Sequence, residues 1–378
     1  MIPYGHQSIS DSDIKEVVKA LKSDYLTQGP KILEFEKALA NYCGAKYAVV
    51  CSNGTAALYL AYLAAGISKG DEVITTPNTF VATSNMLIAV GARPVFCDIR
   101  LDTYNLDEEK IESLITKKTK AIVPVHFAGY PCEMDQIRKI AKKHNLLVIE
   151  DACHALGAIY KNKRIGSISD MTVFSFHPVK SITTGEGGAI LTNSKDYYER
   201  LLSLRSHGSV KDPRKMSRNE GPWYYEFQEL SGNYRITDLQ CALGISQLGR
   251  LDKFIAARTK IAAYYFKKLN DFSPVILPAG GRNSRSGWHL FVIRVKKSRR
   301  KKIFDKLRQA GIGVQVHYIP VYCQPFYRNN GFKSLKLANT EKYYAECISL
   351  PIFPGLRIKD QNYVIRTLKK LAYEPKEL

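Results

Sequence analysis

The sequence predicts an α/β fold with a mostly parallel central sheet, followed by a smaller C-terminal α+β domain. Short apolar runs alternate with helical stretches through the first part of the chain, which is typical of a parallel sheet covered by helices. Around Leu243 this rhythm gives way to a long amphipathic helix and an alternating strand. A length of 378 residues also exceeds what one small core accommodates. We therefore expect a large domain over residues 1–245, including the N-terminal segment, and a small domain over residues 246–378.

Two amphipathic helices open the chain. The first is expected from Ser10 to Ser23, with Ser10 as its N-cap. One face of this helix carries the apolar side chains of Ile14, Val17, Val18 and Leu21. A turn at residues 26–30 separates it from a second helix. That helix has apolar residues at helical spacing, namely Ile32, Phe35, Leu39 and Tyr42.

The central sheet is expected from seven short apolar runs. These runs are Tyr47–Cys51, Glu72–Thr76, Pro94–Asp98, Ala121–His126, Leu146–Asp151, Met171–Phe176 and Gly188–Leu191. Helical stretches lie between most of them, Met134–Lys143 among these. In the C-terminal part, a Pro- and Gly-bearing connection at residues 277–281 precedes strands at Leu290–Val295 and Gly313–Tyr318. A basic helix separates those two strands, and two further helices follow them.

The composition is that of a globular protein, with 45% hydrophobic and 24% charged residues. The first residues show neither the basic nor the apolar region of a signal peptide. The longest apolar run, Ala56–Ile67, is too short to span a membrane. Eight cysteines are scattered without a CxxC pair or metal-ligand spacing. We therefore expect reduced thiols, no metal site, no membrane association and a cytoplasmic location.

A formal net charge of +21 raises the possibility of nucleic-acid binding. The densest basic cluster, residues 296–302, has no interleaved aromatic side chains, and no zinc-finger or RNA-binding signature lies near it. We therefore expect no nucleic-acid partner. A basic surface equally favours anionic small molecules such as nucleotides.

The segment Val173–Asn193 carries the first candidate for chemistry. A buried strand ends in a turn with Pro178 and Lys180, and a glycine-rich stretch leads into the next strand. A lysine displayed at the end of a core strand is a candidate amine nucleophile, able to form a Schiff base with a carbonyl compound. The alternative is a solvated lysine on a surface loop.

Three other predicted strand ends carry groups that suit one cofactor. Gly54-Thr55-Ala56 begins a helix, where free amides bind phosphate. Asp151 ends a strand and could keep a pyridine nitrogen protonated, as a pyridoxal cofactor requires. Phe80 follows another strand and could stack on the ring. Taken singly, each has a plainer explanation as a helix start, a capping acid or a core aromatic.

Together these motifs resemble the DegT/DnrJ/EryC1/StrS family over essentially the whole chain. The resemblance rests on Gly54-Thr55, Phe80, Asp151-x-x-His154, Ser175-Phe176-His177-x-x-Lys180, Gly185-x-Gly187-Gly188, Arg205-Ser206-His207-Gly208, Gly232-Asn233-Tyr234-Arg235 and Gln315-Val316-His317-Tyr318-x-Pro320. Members of that family are nucleotide-sugar aminotransferases of fold type I that depend on pyridoxal 5′-phosphate (PLP). The resemblance therefore implies a large PLP-binding domain, a PLP cofactor and pyridoxamine 5′-phosphate as an intermediate.

The resemblance also implies roles for individual residues. Lys180 would form the Schiff base with PLP and then move the proton during transamination. Asp151 would pair with the pyridine nitrogen, and His154 would lie near the ring hydroxyl. The remaining cofactor contacts would be Phe80 over the ring face and Thr55, the Ala56 amide and Ser175 at the phosphate. Asn233 would reach the phosphate of the neighbouring subunit, which makes a homodimer with shared active sites the working unit.

The implied substrates are L-glutamate and a nucleotide sugar. Tyr4, Thr27, Arg235, His317 and Tyr318 lie in segments that border the sugar pocket in family members. The opening Tyr4-Gly5-His6-Gln7 and the run Thr75–Met86 are similar to members that aminate C4 of a UDP-linked 4-keto-6-deoxy-N-acetylhexosamine for pseudaminic acid. The alternatives are another 4-keto or 3-keto nucleotide sugar, or a non-catalytic member that retains the fold. A sugar dehydratase of the family would have histidine in place of Lys180.

Overall fold

The computed structural model describes residues 1–279 and 284–373. Of the predicted connection at 277–281, Gly280 and Gly281 lie outside the described residues, as do the last five residues of the predicted small domain.

Helices cover both ends of the chain and most of the connections between strands. Their bounds are α1 Asp11–Leu21, α2 Pro30–Cys43, α3 Gly54–Ala64, α4 Ala82–Ala89, α5 Met134–Lys143, α6 Lys195–Leu204, α7 Asp238–Leu248, α8 Leu251–Leu269, α9 Lys297–Gln309, α10 Pro325–Tyr327, α11 Ala338–Glu346 and α12 Ile358–Tyr373. Ser10 caps α1 in a capping box with Asp13, as the sequence predicts for its N-cap. Within the described part of the chain, no helix is long and apolar enough to cross a membrane.

The strands form one large sheet and several small ones. Their bounds are β1 Tyr47–Cys51, β2 Glu72–Thr75, β3 Arg93–Phe96, β4 Thr119–Val123, β5 Leu147–Asp151, β6 Ile159–Tyr160, β7 Lys163–Arg164, β8 Met171–Ser175, β9 Gly188–Thr192, β10 Ser209–Val210, β11 Glu226–Phe227, β12 Val275–Ile276, β13 Ser284–Arg285, β14 Phe291–Val295 and β15 Cys347–Leu350. The large sheet has the order β1-β9-β8-β5-β4-β2-β3, and only β9 runs antiparallel to its neighbours. The predicted mostly parallel α/β sheet is therefore confirmed.

Successive residues of the large sheet belong to opposite cores. Val50, Ile74 and Ile122 pack in one buried cluster, which also contains side chains of α2 and α5. Their neighbours Val49, Val73 and Ala121 pack in a second cluster, which contains side chains of α3. Because side chains alternate between the faces of a strand, a sheet buried on both faces needs continuous apolar runs. For this reason the strands of the large sheet have continuous hydrophobic sequences.

The C-terminal part builds a smaller antiparallel sheet of β12, β14 and β15, with α8, α9 and α12 packed on it. Helix α8 contributes to two cores. Its first turns place Leu251 and Ile255 in the core beneath the large sheet, and its later turns place Tyr265 and Leu269 in the core of the small sheet. The division at residue 245 stays a prediction; the change from one core to the other occurs within α8.

One expectation about an element is wrong. The segment Gly313–Tyr318 forms no strand and contributes only an isolated bridge between Gln315 and Ser349. Beyond this bridge the main chain finds other partners: the Gly313 N–H donates to the Ile2 carbonyl at 2.7 Å, and the His317 carbonyl accepts from the Tyr343 hydroxyl at 2.6 Å. The missing partner of β14 is β15, a fully buried strand that the sequence analysis did not identify.

The predicted apolar face of α1 is largely exposed in the single chain. Ile14, Val18 and Leu21 are 54%, 41% and 58% exposed, whereas Asp13 on the same helix is fully buried. The carboxylate of Asp13 accepts hydrogen bonds from Ser246 and Gln247 and pairs with Arg250. Helix α1 therefore packs on α7 through a polar contact and leaves its apolar side chains uncovered in the single chain.

Candidate active site

A cavity of about 690 Å³ opens where several strands of the large sheet end. Nine of the residues that the sequence analysis singled out line it, although they come from distant parts of the chain. These residues are Tyr4, Thr55, Phe80, Asp151, His154, Ser175, Lys180, His317 and Tyr318. Ligands bind at this edge in open α/β sheets because helices begin and loops diverge there.

Lys180 reaches the cavity from the turn after β8. The turn is closed by its own N–H, which donates to the His177 carbonyl at 2.9 Å. Desolvation lowers the pKa of Lys180, and Cys153 and Asp151 act in the opposite direction. No acceptor among residues 1–279 and 284–373 lies within hydrogen-bonding distance of its Nζ. An amine with a lowered pKa and no partner is a suitable nucleophile and proton acceptor.

Asp151 is the last residue of β5 and is 5% exposed. Its Oδ2 accepts a hydrogen bond from the Thr83 hydroxyl at 2.7 Å, and its Oδ1 accepts from the Cys153 N–H at 3.1 Å. Two donors fix the orientation of the carboxylate. Thr83 and Cys153 also line the cavity. The sequence analysis assigned neither of them a role.

The start of α3 faces Ser175 across a close contact. A Cβ on Gly54 would lie 2.8 Å from the Cβ of Ser175, and one on Gly188 would lie 2.4 Å from the Asn53 carbonyl oxygen. Only glycine permits this approach of β9 to the helix start. The Ala56 amide, expected at a phosphate, instead donates to Asn53 Oδ1 at 2.8 Å. The helix N-terminus remains a favourable place for an anion because its dipole is positive there.

The rings of His154, His317 and Tyr318 line the cavity, and the ring of His289 packs against that of His154. The Tyr318 hydroxyl lies 3.2 Å from His154 Nε2, and the ring of His289 lies 4.2 Å from that of His154. Burial and the Lys180 cation lower the pKa of His317 to about 4, and they lower that of His154 well below its usual value. Nδ1 of His154 is buried without a hydrogen-bond partner among the described residues. These imidazoles are therefore neutral at pH 7. The sequence analysis did not identify His289, because no motif or residue spacing pointed to it.

Phe80 lies at the mouth of the cavity and is 58% exposed. Its ring is tilted against that of Tyr318, with the centroids 6.3 Å apart. A large apolar ring at such an opening can cover a planar ligand.

Four predicted site residues do not line this cavity. Ala56 and Asn233 line a neighbouring cavity of about 530 Å³, which they share with Thr55. Thr27 is exposed and bridges to Thr237. The guanidinium of Arg235 donates to the Ser206 hydroxyl at 2.8 Å. A single chain therefore does not bring Thr27, Asn233 and Arg235 to Lys180.

The cavity fits PLP. An unpartnered lysine, an oriented carboxylate and a helix start occupy one pocket, and the buried Nδ1 of His154 needs a hydrogen-bond partner. In the described ranges, 1–279 and 284–373, no cluster of three or more potential metal ligands exists.

Comparison with protein families gives a match over residues 7–369 to the model described as the DegT/DnrJ/EryC1/StrS aminotransferase family. Among curated relatives, the UDP-4-amino-4,6-dideoxy-N-acetyl-beta-L-altrosamine transaminase of Campylobacter jejuni is 41% identical and covers 100% of this chain and 99% of its own. The spore coat polysaccharide biosynthesis protein SpsC of Bacillus subtilis is 40% identical, over 98% of this chain and 97% of its own.

Solved structures show the same fold. Helicobacter pylori PseC, an aminotransferase of pseudaminic acid biosynthesis, superposes with a TM-score of 0.92 at 35% identity over 98% of both chains. The PMP-form of the sugar aminotransferase Spr1654 from Streptococcus pneumoniae superposes with a TM-score of 0.93 at 32% identity, over 98% of this chain and 99% of its own. The same protein is also known in a PLP-form.

Proposed function

The chain belongs to the DegT/DnrJ/EryC1/StrS family of PLP-dependent sugar aminotransferases, and from that membership we propose that it transfers the amino group of L-glutamate to C4 of a UDP-linked 4-keto-6-deoxy-N-acetylhexosamine. The observation that carries the proposal is the meeting of Lys180, Asp151 and the start of α3 in one cavity. This set combines an amine, a carboxylate and an anion site, which PLP chemistry requires together.

In this proposal each part of the cavity holds one part of the cofactor. Thr55, Ser175 and the first turn of α3 would bind the phosphate, Asp151 would hold the ring nitrogen, and His154 would hold the ring hydroxyl. Phe80 would cover the ring. The Ala56 amide takes part only if Asn53 releases it. Bound PLP supplies an electron sink for the carbanion that forms at the substrate carbon.

Lys180 has two tasks in the proposed reaction. Its amine would hold the aldehyde carbon of PLP and, once free, would take the Cα proton of glutamate. Its lowered pKa increases the fraction of neutral amine available for this step.

The identity of the sugar rests on relatives. The Campylobacter transaminase and PseC support a C4 ketone of the pseudaminic acid route. The nearly equal identity to SpsC favours, as the second candidate, another 4-keto or 3-keto nucleotide sugar. Lys180 argues against dehydration. A net charge of +21 suits the diphosphate of either substrate, and eight free thiols suit a reaction in the cytoplasm.

The proposed working unit is a homodimer with shared active sites. Asn233 is exposed and lines the cavity beside Thr55, so the site of one chain is accessible to the corresponding loop of another. The uncovered apolar face of α1 supplies surface that a second copy would bury. We propose that Thr27, Asn233 and Arg235 act on the partner's cavity.

The test of the cofactor role uses the purified protein with PLP. We expect a visible absorption band that glutamate bleaches, and after borohydride reduction we expect PLP covalently attached to the peptide containing Lys180. Lys180→Ala should lose the band and the attachment, with transaminase activity reduced at least about a thousandfold. As a control, Lys195→Ala, on exposed helix α6, should retain both. A wild-type protein that stays colourless with added PLP would overturn the proposal.

The test of the substrate compares UDP-4-keto-6-deoxy sugars of the L-altro and D-gluco series, with glutamate as donor. We expect a clear preference for the L-altro ketone in kcat/KM. Equal turnover of both would reject the narrower assignment and leave the family assignment intact.

A further inference from the structure

A buried polar group lies on the face of β5 opposite to Asp151. It consists of His126, Glu150 and Thr172, which are 0%, 0% and 1% exposed. His126 Nε2 lies 2.7 Å from Glu150 Oε2, and the Thr172 hydroxyl donates to Glu150 Oε1 at 3.0 Å. None of these residues lines the active-site cavity.

The hydrogen bonds determine where the proton of the imidazole resides. The backbone N–H of Cys132 donates to His126 Nδ1 at 3.0 Å, so that Nδ1 is an acceptor and carries no proton. A neutral imidazole must then be protonated at Nε2, which donates to Glu150. Each oxygen of Glu150 thus accepts one hydrogen bond. This arrangement stabilises a charged carboxylate beside a neutral histidine.

The negative charge of Glu150 is not balanced locally. Within residues 1–279 and 284–373, the only basic side chain that pairs with it is His126, which is neutral. Its field reaches buried neighbours: desolvation first, and then Glu150, raises the pKa of the Cys132 thiol. A buried carboxylate without a cation is costly, so its retention calls for a compensating positive charge nearby.

The pair is connected directly to Asp151. Glu150 precedes it in β5, and the N–H of His126 donates to the Asp151 carbonyl at 3.1 Å. The N–H of Asp151 donates in turn to the Pro124 carbonyl at 2.9 Å. The segment that carries His126 therefore fixes the main chain of Asp151, while Glu150 adds charge behind it.

We propose that His126 and Glu150 are positioning residues for the cofactor, because Glu150 supplies a second negative charge behind Asp151 that favours the protonated ring nitrogen. The inference rests on the proposed function, since PLP would provide the missing positive charge. The two carboxylates point to opposite faces of one strand, which places Glu150 on the order of 10 Å from the ring nitrogen. At an effective dielectric constant of about 20, a unit charge at that distance changes the affinity for a cation roughly tenfold.

The experiment measures binding to the full-length apoprotein of PLP and of 1-deaza-pyridoxal 5′-phosphate, which has carbon in place of the ring nitrogen. In wild type, PLP should bind more tightly. In Glu150→Gln we expect the ratio of the two affinities to fall roughly tenfold, with the affinity for the deaza compound unchanged within about twofold. Thr172→Val removes one hydrogen-bond donor to the Glu150 carboxylate. It should also lower the ratio of the two affinities, by less than Glu150→Gln does.

Glu36→Gln is the matched control, because Glu36 is also buried but pairs with Arg205 and bonds to β1, three strands away from β5. It should leave the ratio unchanged. If Glu150→Gln weakens both ligands equally, or changes neither, the inference is wrong and the cofactor assignment stands. If wild type binds neither ligand, the proposed function itself fails.

Discussion

At the scale of single residues, neutral imidazoles distinguish this cavity. His154, His289 and His317 all have pKa values below the usual range, chiefly because burial disfavours the charged form. Lys180 lowers them further. A positive amine can share the cavity with His154 and His317, and lie near His289 packed against His154, only while these imidazoles stay uncharged. Among these four groups, Lys180 is thus the one that can carry a positive charge at pH 7.

Acid should therefore destabilise the fold through these histidines. His317 titrates near pH 4 in the folded protein and near 6.5 when unfolded, so that only the unfolded chain gains a proton between these values. The free energy of unfolding should fall as pH is lowered from about 6.5 to about 4. His317→Gln should reduce that slope by at most about 1.4 kcal/mol per pH unit, measured by urea denaturation of the apoprotein. An unchanged slope in His317→Gln would contradict the prediction.

Cavity residues that lie at or shortly after the end of a strand could be predicted from the sequence. Residues that reach the same place from other elements could not. Lys180, Asp151 and Ser175 follow directly from strand ends. Thr83 lies on α4, and its bond to Asp151 depends on how that helix packs against β5. His289 reaches the site through a loop of the C-terminal part. Contacts between residues this far apart in the sequence cannot be predicted from a local sequence pattern.

At the scale of elements, α1 shows the limit of periodicity. Its pattern correctly predicted a helix capped at Ser10, with an apolar face. The pattern does not indicate what covers that face. Within the chain, α1 instead contacts Ser246 and Arg250 through the buried carboxylate of Asp13. By contrast, β1 and α5 have the predicted bounds, because buried strands and amphipathic helices contact one core.

We expect α1 to form part of the dimer interface. Val18→Asp should raise the dissociation constant of the dimer about 10- to 100-fold, since an apolar side chain that gains burial on association is replaced by a charge. Sedimentation velocity over a concentration series would measure this. Ile358→Asp, at an exposed isoleucine of α12, is the control and should leave association unchanged. A Val18→Asp protein that associates like wild type would exclude α1 from the interface.

At the scale of the whole molecule, α8 and Arg258 join the two cores. Arg258 is 1% exposed, and burial lowers its pKa to about 10. Its Nη1 donates to the carbonyls of Trp288, His289 and Ile352, at 3.2, 3.3 and 3.0 Å. One side chain thereby ties the helix common to both cores to the segment that carries His289.

Removal of this connection should uncouple the two cores. Arg258→Met leaves three buried carbonyls without their donor and should cost about 2–4 kcal/mol of stability. We expect calorimetry to show two separable transitions in place of one. Arg250→Met is the control: Arg250 precedes the first residue of α8 and pairs with Asp13, outside the small sheet, so its loss should lower stability without splitting the transition. A single transition at the wild-type temperature in Arg258→Met would refute the coupling.

The position of β9 has a consequence for the synthesis of the protein. Within the part of the chain that the structure describes, strand β1 pairs only with β9, and the bond from the Lys46 N–H to Asn193 Oδ1 beside this pair spans 147 residues. At a translation rate of about 5–20 residues per second, β9 is synthesised roughly 7–30 s after β1 and the start of α3. The end of the cavity beside α3 is thus among the last parts of the large sheet to form on the ribosome. PLP can stabilise the nascent chain only after this pairing, and chaperones that shield apolar strands would act before it.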